Sequence, residues 1–396
     1  SLNFEQFVAS KILGYKRYKN SISSPIIKIS ILSVIIGIVL MNISMSIGFG
    51  IQKNIKEKFS LNTGDLIITN YNNNLFETLA SIETDLIDFS NLQKPNILSL
   101  RKVSYNPSIY PKDNTFEYLI FKGVESIVDH KPKSSVNKLE INEVSISKFF
   151  SDRSGIGVGQ SINLLFFTKE NTRTPKIRKF IVKSIYETGI NEYDSKIIIG
   201  NFNQSRLING WNKNETGGVE ISLNNSDFDS VYESVPPTFK VMLNRERFGE
   251  LFNWISLFDS NVYLIIFLMI VVGGINMVTS LLITILEKRK FIGILKVLGT
   301  NNYSIRKIFL INGVFLLIRG LVIGNIISYT LLYIQLKFNI IKLDQTVYYV
   351  NSVPVDLNFM NLLILNIVVI LTSFLMLILP SSVVTKLNAT KILRSS

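Results

Sequence analysis

Residues able to act on a covalent bond or hold a metal are few. The chain of 396 residues has no Cys and one His. Lacking Cys, it has no disulfides, zinc–thiolate sites, iron–sulfur clusters or cysteine nucleophiles. His130 alone excludes a two-His metal site. It lies in Asp129-His130-Lys131-Pro132-Lys133, a polar run that reads as a solvated loop. The sequence contains no Gly-Lys dipeptide, hence no Walker A loop to cradle phosphates. The glycines Gly155, Gly157 and Gly159 precede an expected strand at Ile162, not a helix, and read as a turn. No catalytic, cofactor or metal constellation emerges.

The chemistry on offer is that of binding. In the run from Glu287 to Gly299, Phe291, Ile294, Leu295 and Leu298 fall at i, i+3, i+4 and i+7. That spacing predicts a short amphipathic helix, with Gly299 where a C-terminal cap belongs. Two uses stay open. The helix can lie on an anionic inner leaflet through its Lys and Arg, or it can receive a cytosolic partner. Phe4, Phe7, Val8 and Ile12 predict another amphipathic helix within Asn3 to Lys19.

Membrane spans must hold these surfaces. A net charge of +13 on a chain that is 47% hydrophobic, with mean hydropathy +0.30, does not suit a soluble nucleic-acid binder. It suits a membrane protein whose charge sits in chosen loops. A bilayer core of roughly 30 Å takes about 20 apolar residues as helix. Ile26 to Phe49, Val262 to Leu286, Ile308 to Leu336 and Phe359 to Leu379 meet that length. The first is too long for a signal peptide and lacks a cleavage site after it.

The segment through Lys28 is net +4, Glu287 to Lys307 net +5 and the tail net +3, whereas residues 51–259 hold 25 basic and 25 acidic side chains. The positive-inside rule then predicts cytoplasmic termini and an outer insertion. Arg319, inside the third span, costs a few kcal/mol unless shielded. Snorkelling, the amides of Asn276 or Asn366, or a position nearer the interface would relieve it. The spans offer no acid for an ion pathway.

Within the insertion, Leu66 to Thr69, Tyr118 to Phe121, Ile162 to Phe167, Phe180 to Ile185, Lys196 to Ile199 and Val219 to Leu223 read as strands. Leu75 to Phe89 and Ser226 to Val235 read as helices. Helices at Gln52 to Phe59 and Arg245 to Phe258 would continue the first two spans as a stalk. The fold class is membrane α-helical: four transmembrane helices, with a large α+β extracytoplasmic domain inserted between the first and second spans. The expected organisation is an N-terminal cytoplasmic helix (1–25), first span (26–50), outer domain with stalk (51–259), second span (260–286), connecting region (287–307), third span (308–336), outer loop (337–358), fourth span (359–380) and tail (381–396).

The run LEKRKFIGILKVLGTNNYSIRKIFLINGVFL, residues 286–316, resembles the signature of the FtsX/MacB-type ABC permeases. FEQFVASKILGYKR and ISILSVIIGIVLMNISMSIGFGIQKNI are similar to the opening of the lipoprotein-releasing branch, the LolC/LolE family. LIFKGVES, YYVNSVPVDLNF and the terminal LPSSVVTKLNATKILR resemble further stretches of it. In the tail Ala389, Leu393 and Arg394 match, whereas Thr385 and Asn388 depart.

The resemblance implies a non-catalytic type VII permease subunit that binds no cofactor. It would pair with a paralogue or itself and receive two copies of a LolD-like ATPase carrying ATP and Mg. ATP-driven motion would pass along the first two spans to the outer domain, which is termed mechanotransmission. Lipoproteins would leave the inner membrane for a periplasmic LolA-like chaperone. Membrane lipid is an expected partner and nucleic acid is not.

The resemblance also implies working residues. Glu287, Lys288, Arg289, Lys290, Gly293, Lys296 and Gly299 would couple to the ATPase. Acyl chains would lie between the first two spans, against Met41, Met45, Phe49, Val262 and Ile266; Ser46 and Ile47 depart from the family pattern there. Met41, Met45 and Phe49 form one stripe at i, i+4, i+8, which ordinary helix packing would equally produce. Arg173, Thr174, Pro175 and Arg178 would form a chaperone-binding hook like that of LolC, whose pattern Pro175 and Arg178 match with Arg173 nearby, and an ordinary exposed hairpin loop is the plainer alternative. An FtsX-like regulator of a periplasmic hydrolase remains a second reading, although such chains usually carry a smaller outer domain. A MacB-like export component is a third, although an N-terminal nucleotide-binding domain would then be expected.

Overall fold

The computed structural model describes residues 4–12, 24–89, 97–112, 115–129, 139–168, 171–223, 228–344 and 350–386. His130, Tyr348, Tyr349, Asn388, Ala389, Leu393 and Arg394 lie outside the described residues. Uninterrupted apolar runs without a central Pro favour helix, and among the described residues four helices are long and apolar enough to cross a bilayer. After α1 (Phe4–Ile12) comes the first of them, α2 (Ser24–Thr63). Its 40 residues correspond to about 60 Å of helix.

Among the described residues, the inserted segment carries the short helices α3 (Lys148–Ser154), α4 (Asn191–Asp194), α5 (Phe202–Asn209), α6 (Asp229–Ser234) and α7 (Asn244–Arg247). The second long helix, α8 (Gly249–Glu287), follows, and then α9 (Arg289–Val297). The last two long helices are α10 (Asn302–Phe338) and α11 (Phe359–Ser381); α12 (Val383–Lys386) ends the described chain. Asn301 caps α10 by accepting from the Ser304 amide at 2.7 Å.

The chain divides into two compact units. One holds residues up to Gln52, Ile255–Lys342 and the residues from Ser352; the other holds Lys53–Trp254 with Leu343–Asn351. In the first unit the long helices are joined by small residues and amides, as helices in an apolar solvent require. Asn42 Nδ2 donates to Asn325 Oδ1 (2.9 Å) and Ser328 Oγ (2.8 Å), and Asn325 Nδ2 donates to Asn366 Oδ1 (2.8 Å). Asn276 Nδ2 donates to Ser33 Oγ at 2.7 Å. Arg319 is exposed on α10.

The second unit is built on β1 (Leu66–Thr69), β2 (Ile82–Glu83), β3 (Ile97–Lys112), β4 (Thr115–Asp129), β5 (Glu143–Ser147), β6 (Ser161–Thr168), β7 (Asn171–Tyr186), β8 (Ile197–Asn201), β9 (Glu215–Thr216), β10 (Gly218–Leu223) and β11 (Lys240–Leu243). Nine of them form one sheet in the order β11-β1-β10-β3-β4-β8-β5-β7-β6. Because β6 also pairs with β3 at Ser108 and Ile109, the last six strands close into a ring. Phe121, Phe166 and Phe180 pack in its core, with centroids 5.1 to 6.4 Å apart. Leu66, Ile68, Val219 and Ile221 form a second core beneath α6 with Val231.

Two expectations change. Leu75 to Phe89 is not a helix; it holds a turn, β2 and a single 3-10 turn at Thr84–Leu86. Asn73 Oδ1 accepts from the Leu79 and Ala80 amides (2.8 and 2.7 Å), diverting donors that a helix needs. The outer stalk of the second span is also interrupted. Arg245 belongs to α7, and Phe248, outside helical geometry, separates α7 from α8.

Candidate functional site

Four regions bear on function, two in each unit. The first is α9. Lys288, at φ −89 and ψ 15, breaks the helix between α8 and α9, and Gly299 turns the chain at φ +86, a conformation that favours glycine. Burial follows Ile292, Gly293 and Leu295, with Phe291 partly covered. Ile294, Val297 and Leu298 instead face outward, at 50, 66 and 75% exposure. The expected stripe of Phe291, Ile294, Leu295 and Leu298 is therefore split between two faces. Its apolar residues occupy more than one stripe between the cations Arg289, Lys290 and Lys296, so periodicity alone does not choose its inner face. Glu287, Arg289, Lys290 and Gly299 are exposed. Lys288 lies 3.7 Å from Glu287, and Lys296 Nζ donates to the Val384 carbonyl of α12 at 3.0 Å. The outer face combines exposed apolar surface with a basic end, a composition suited to a docking contact.

The second region is the seam between α2 and α8. A Cβ on Gly48 would stand 2.5 Å from Val262 Cγ2, so only glycine permits this approach. Gln52 Nε2 donates to Asp259 Oδ1 at 2.6 Å one turn outward. Met41 and Val262 are buried in helix packing, while Met45, Phe49 and Ile266 are half-buried. Space beside Met41, lined also by Gly37, Met269 and Gly273, amounts to only ≈20 Å³.

The third region is the β6–β7 hairpin. Phe166 pairs with Lys176 and Thr168 with Asn171. One residue on β6, Phe167, therefore opposes four on β7, residues 172–175. Arg173, Thr174 and Pro175 lie in this bulge, and Arg178 is paired with Leu164. The segment read as a loop is a bulged strand, a place where a proline lacking its N–H is tolerated. Thr174 is exposed, while Pro175 and Arg178 are half-buried. A cavity of ≈240 Å³ beside it is lined by Glu77, Asn106, Phe167, Lys176 and Trp211, among others.

The fourth region went unnoticed in the sequence. Lys122 of β4, Glu220 of β10 and Arg247 of α7 are all buried. Lys122 Nζ donates to Glu220 Oε2 (2.8 Å) and to the Asn62 carbonyl near the end of α2 (2.6 Å). Arg247 donates to Glu220 Oε1 (3.4 Å), to the Tyr105 hydroxyl (3.0 Å) and to the Thr63 carbonyl (3.2 Å). Tyr105 in turn donates to Glu220 Oε1 at 2.5 Å. Burial pushes the Lys122 ammonium down to about 8, against the opposing pull of Glu220. Burial also raises the Tyr105 phenol, keeping it a protonated donor. Asn244 donates to Thr63 Oγ1 (3.0 Å) and to the Gly64 carbonyl. The network thus fixes the last turn of α2, the turn before α8 and the sheet to one another. Such groups are costly to bury unless each meets its partners.

Residues 263–389 match the FtsX-like permease C-terminal family. The chain is 25% identical over 292 residues to the lipoprotein-releasing system transmembrane protein LolC of Xylella fastidiosa, covering 68% of this chain and 69% of that one. It is 20% identical to LolC of Neisseria meningitidis and 23% identical to LolE of Haemophilus influenzae, over 99% and 96% of both chains respectively. Among solved structures it is similar to the periplasmic region of MacB from Actinobacillus actinomycetemcomitans, with TM-score 0.29 and 12% identity over 48% of this chain and 92% of that one. The extracellular domain of YknZ, from Gram-positive bacteria, gives TM-score 0.29 and 10% identity over 45% and 97%.

Proposed function

We propose, since this chain belongs to the LolC/LolE family of FtsX/MacB-type permeases, that it draws lipoproteins from the outer leaflet of the inner membrane and passes them to a periplasmic chaperone. It is a lipoprotein-release ABC permease of the bacterial inner membrane with a periplasmic domain. In this reading the termini and α9 are cytoplasmic. A separate ATPase docks on the outer face of α9 around Ile294 and Leu298, with Glu287, Lys288, Arg289 and Lys290 beside it. This chain performs no hydrolysis and binds no cofactor.

One observation carries the reading: α2 and α8 close on each other at Gly48 and Val262, and α2 continues unbroken to Thr63. A helix transmits axial or tilting motion only while its hydrogen-bond ladder is intact. Thr63, the last residue of α2, and Arg247, in the short helix α7 that precedes α8, join the same buried ionic network. Motion imposed at α9 would reach the sheet through that joint. The half-buried Met45, Phe49 and Ile266 are the side chains that would meet acyl chains, in space completed by a second permease. The bulge at 172–175 would meet the chaperone, which supports a LolC-like role or a permease that combines the LolC and LolE roles.

Met45→Asp tests the substrate path. The variant should assemble with its ATPase yet release no lipoprotein from proteoliposomes to added chaperone. Release at the unmodified rate would refute the assignment.

A further inference from the structure

A cavity of ≈570 Å³ opens between α10 and α11, away from the α2–α8 seam. Its lining is graded along α10. Tyr303, Arg306 and Lys307 form one end; Leu310, Val314 and Ile318 continue the same face, with Phe374 and Ile378 of α11 opposite. From Arg306 to Ile318 is about 18 Å of helix, slightly more than the roughly 15 Å hydrocarbon depth of one leaflet. The charged end is incompletely satisfied by protein. Arg306 Nε is buried and has no hydrogen-bond partner among the described residues. Its NH2 group reaches Ser381 Oγ only at 3.5 Å. Lys307 lies 3.9 Å from Glu5, and both side chains remain partly exposed. Arg306 and Lys307 stand in the first two turns of α10, where the helix dipole also favours an anion.

We propose that this cavity is a binding site for one anionic phospholipid of the leaflet in which α10 begins. The headgroup phosphate takes the spare donors of Arg306 and the ammonium of Lys307. One acyl chain fills the apolar stretch down to Ile318. A zwitterionic lipid offers the same chain, but its own ammonium repels Lys307, so charge complementarity selects the anionic headgroup. The site is separate from the substrate path and makes α10 and α11 responsive to leaflet charge. It rests on the proposed orientation only for which leaflet supplies the lipid.

Native mass spectrometry of the delipidated, detergent-purified permease with its ATPase tests the site. Phosphatidylglycerol and phosphatidylcholine of matched chains are titrated in parallel. One phosphatidylglycerol per permease chain should bind at a concentration about tenfold below phosphatidylcholine. Arg306→Gln/Lys307→Gln should erase that preference. Val314→Trp, filling the apolar end, should reduce binding of both lipids at this site. Lys337→Gln, at the opposite end of α10, should change nothing. Equal retention of the two lipids, or an unaltered preference in Arg306→Gln/Lys307→Gln, would overturn the proposal. So would a lipoprotein acyl chain crosslinked from position 314. Lipoprotein release is scored separately, so loss of the transport reading leaves this binding result standing, and the reverse.

Discussion

Gly48 of α2 and Val262 of α8 meet so closely that a methyl group at position 48 would stand 2.5 Å from Val262 Cγ2. The two helices thus touch at the level where Met45 and Phe49 remain half-buried. A wedge at Gly48 should separate them without touching either of those side chains.

Gly48→Ala should therefore slow lipoprotein release by about tenfold, the scale of roughly 1–3 kcal/mol that overpacking costs. Val262→Ala in the same chain should restore much of the rate by making room for the added methyl. Rescue is the decisive readout, because a general folding defect would not be repaired from Val262. A double variant as slow as Gly48→Ala would defeat the seam's assigned role.

Glu220 is shared by Lys122, Arg247 and Tyr105. Replacing it with Gln leaves two buried cations without their counter-charge, a loss on the order of 3–5 kcal/mol. Thermal unfolding of the purified full chain in detergent should show a lowered domain transition for Glu220→Gln. The exposed pair Lys183–Glu143, at 2.8 Å, provides the contrast. Lys183→Ala should shift the transition hardly at all, as surface pairs contribute little. Equal shifts for the two variants would remove the network from its role as a joint.

This network illustrates what the sequence could not express. Tyr105, Lys122, Glu220 and Arg247 are scattered over more than 140 positions, and no spacing rule connects them. Lys122 and Glu220 each interrupt an apolar strand run, where the alternation of a strand reads a lone charge as facing solvent. The four spans were legible because bilayer length and apolar composition act locally, residue by residue. Six strands were legible from β-branched and aromatic runs. The strand β3 was missed although its 16 residues equal β7 in length, since Pro107 and Pro111 demote such a run. The bulge at 172–175 was legible as a special segment but not as a strand, because its partner register lies in β6.

The outer face of α9 makes the third prediction. Leu298→Glu puts a charge on a side chain already 75% exposed, so the permease itself should fold and insert. If the ATPase docks there, co-purification of the ATPase should fall by about tenfold or more. Ile292→Glu, on the buried face, should instead reduce the amount of folded permease. ATPase retained in full by Leu298→Glu would move the docking surface elsewhere.

The last prediction concerns the hairpin. Residues 172–175 are extra with respect to the β6 register, since Phe166 pairs with Lys176 and Thr168 with Asn171. Deleting those four residues brings Asn171 next to Lys176 and lets Phe167 pair with Asn171 across a three-residue turn, a common hairpin connection. The ring of six strands should keep its core of Phe121, Phe166 and Phe180. The deletion variant should therefore unfold at nearly the unmodified temperature while losing capture of the periplasmic chaperone in a pull-down. Loss of both would mark the bulge as structural, and chaperone capture at the original level would show that the hairpin is an ordinary surface arm.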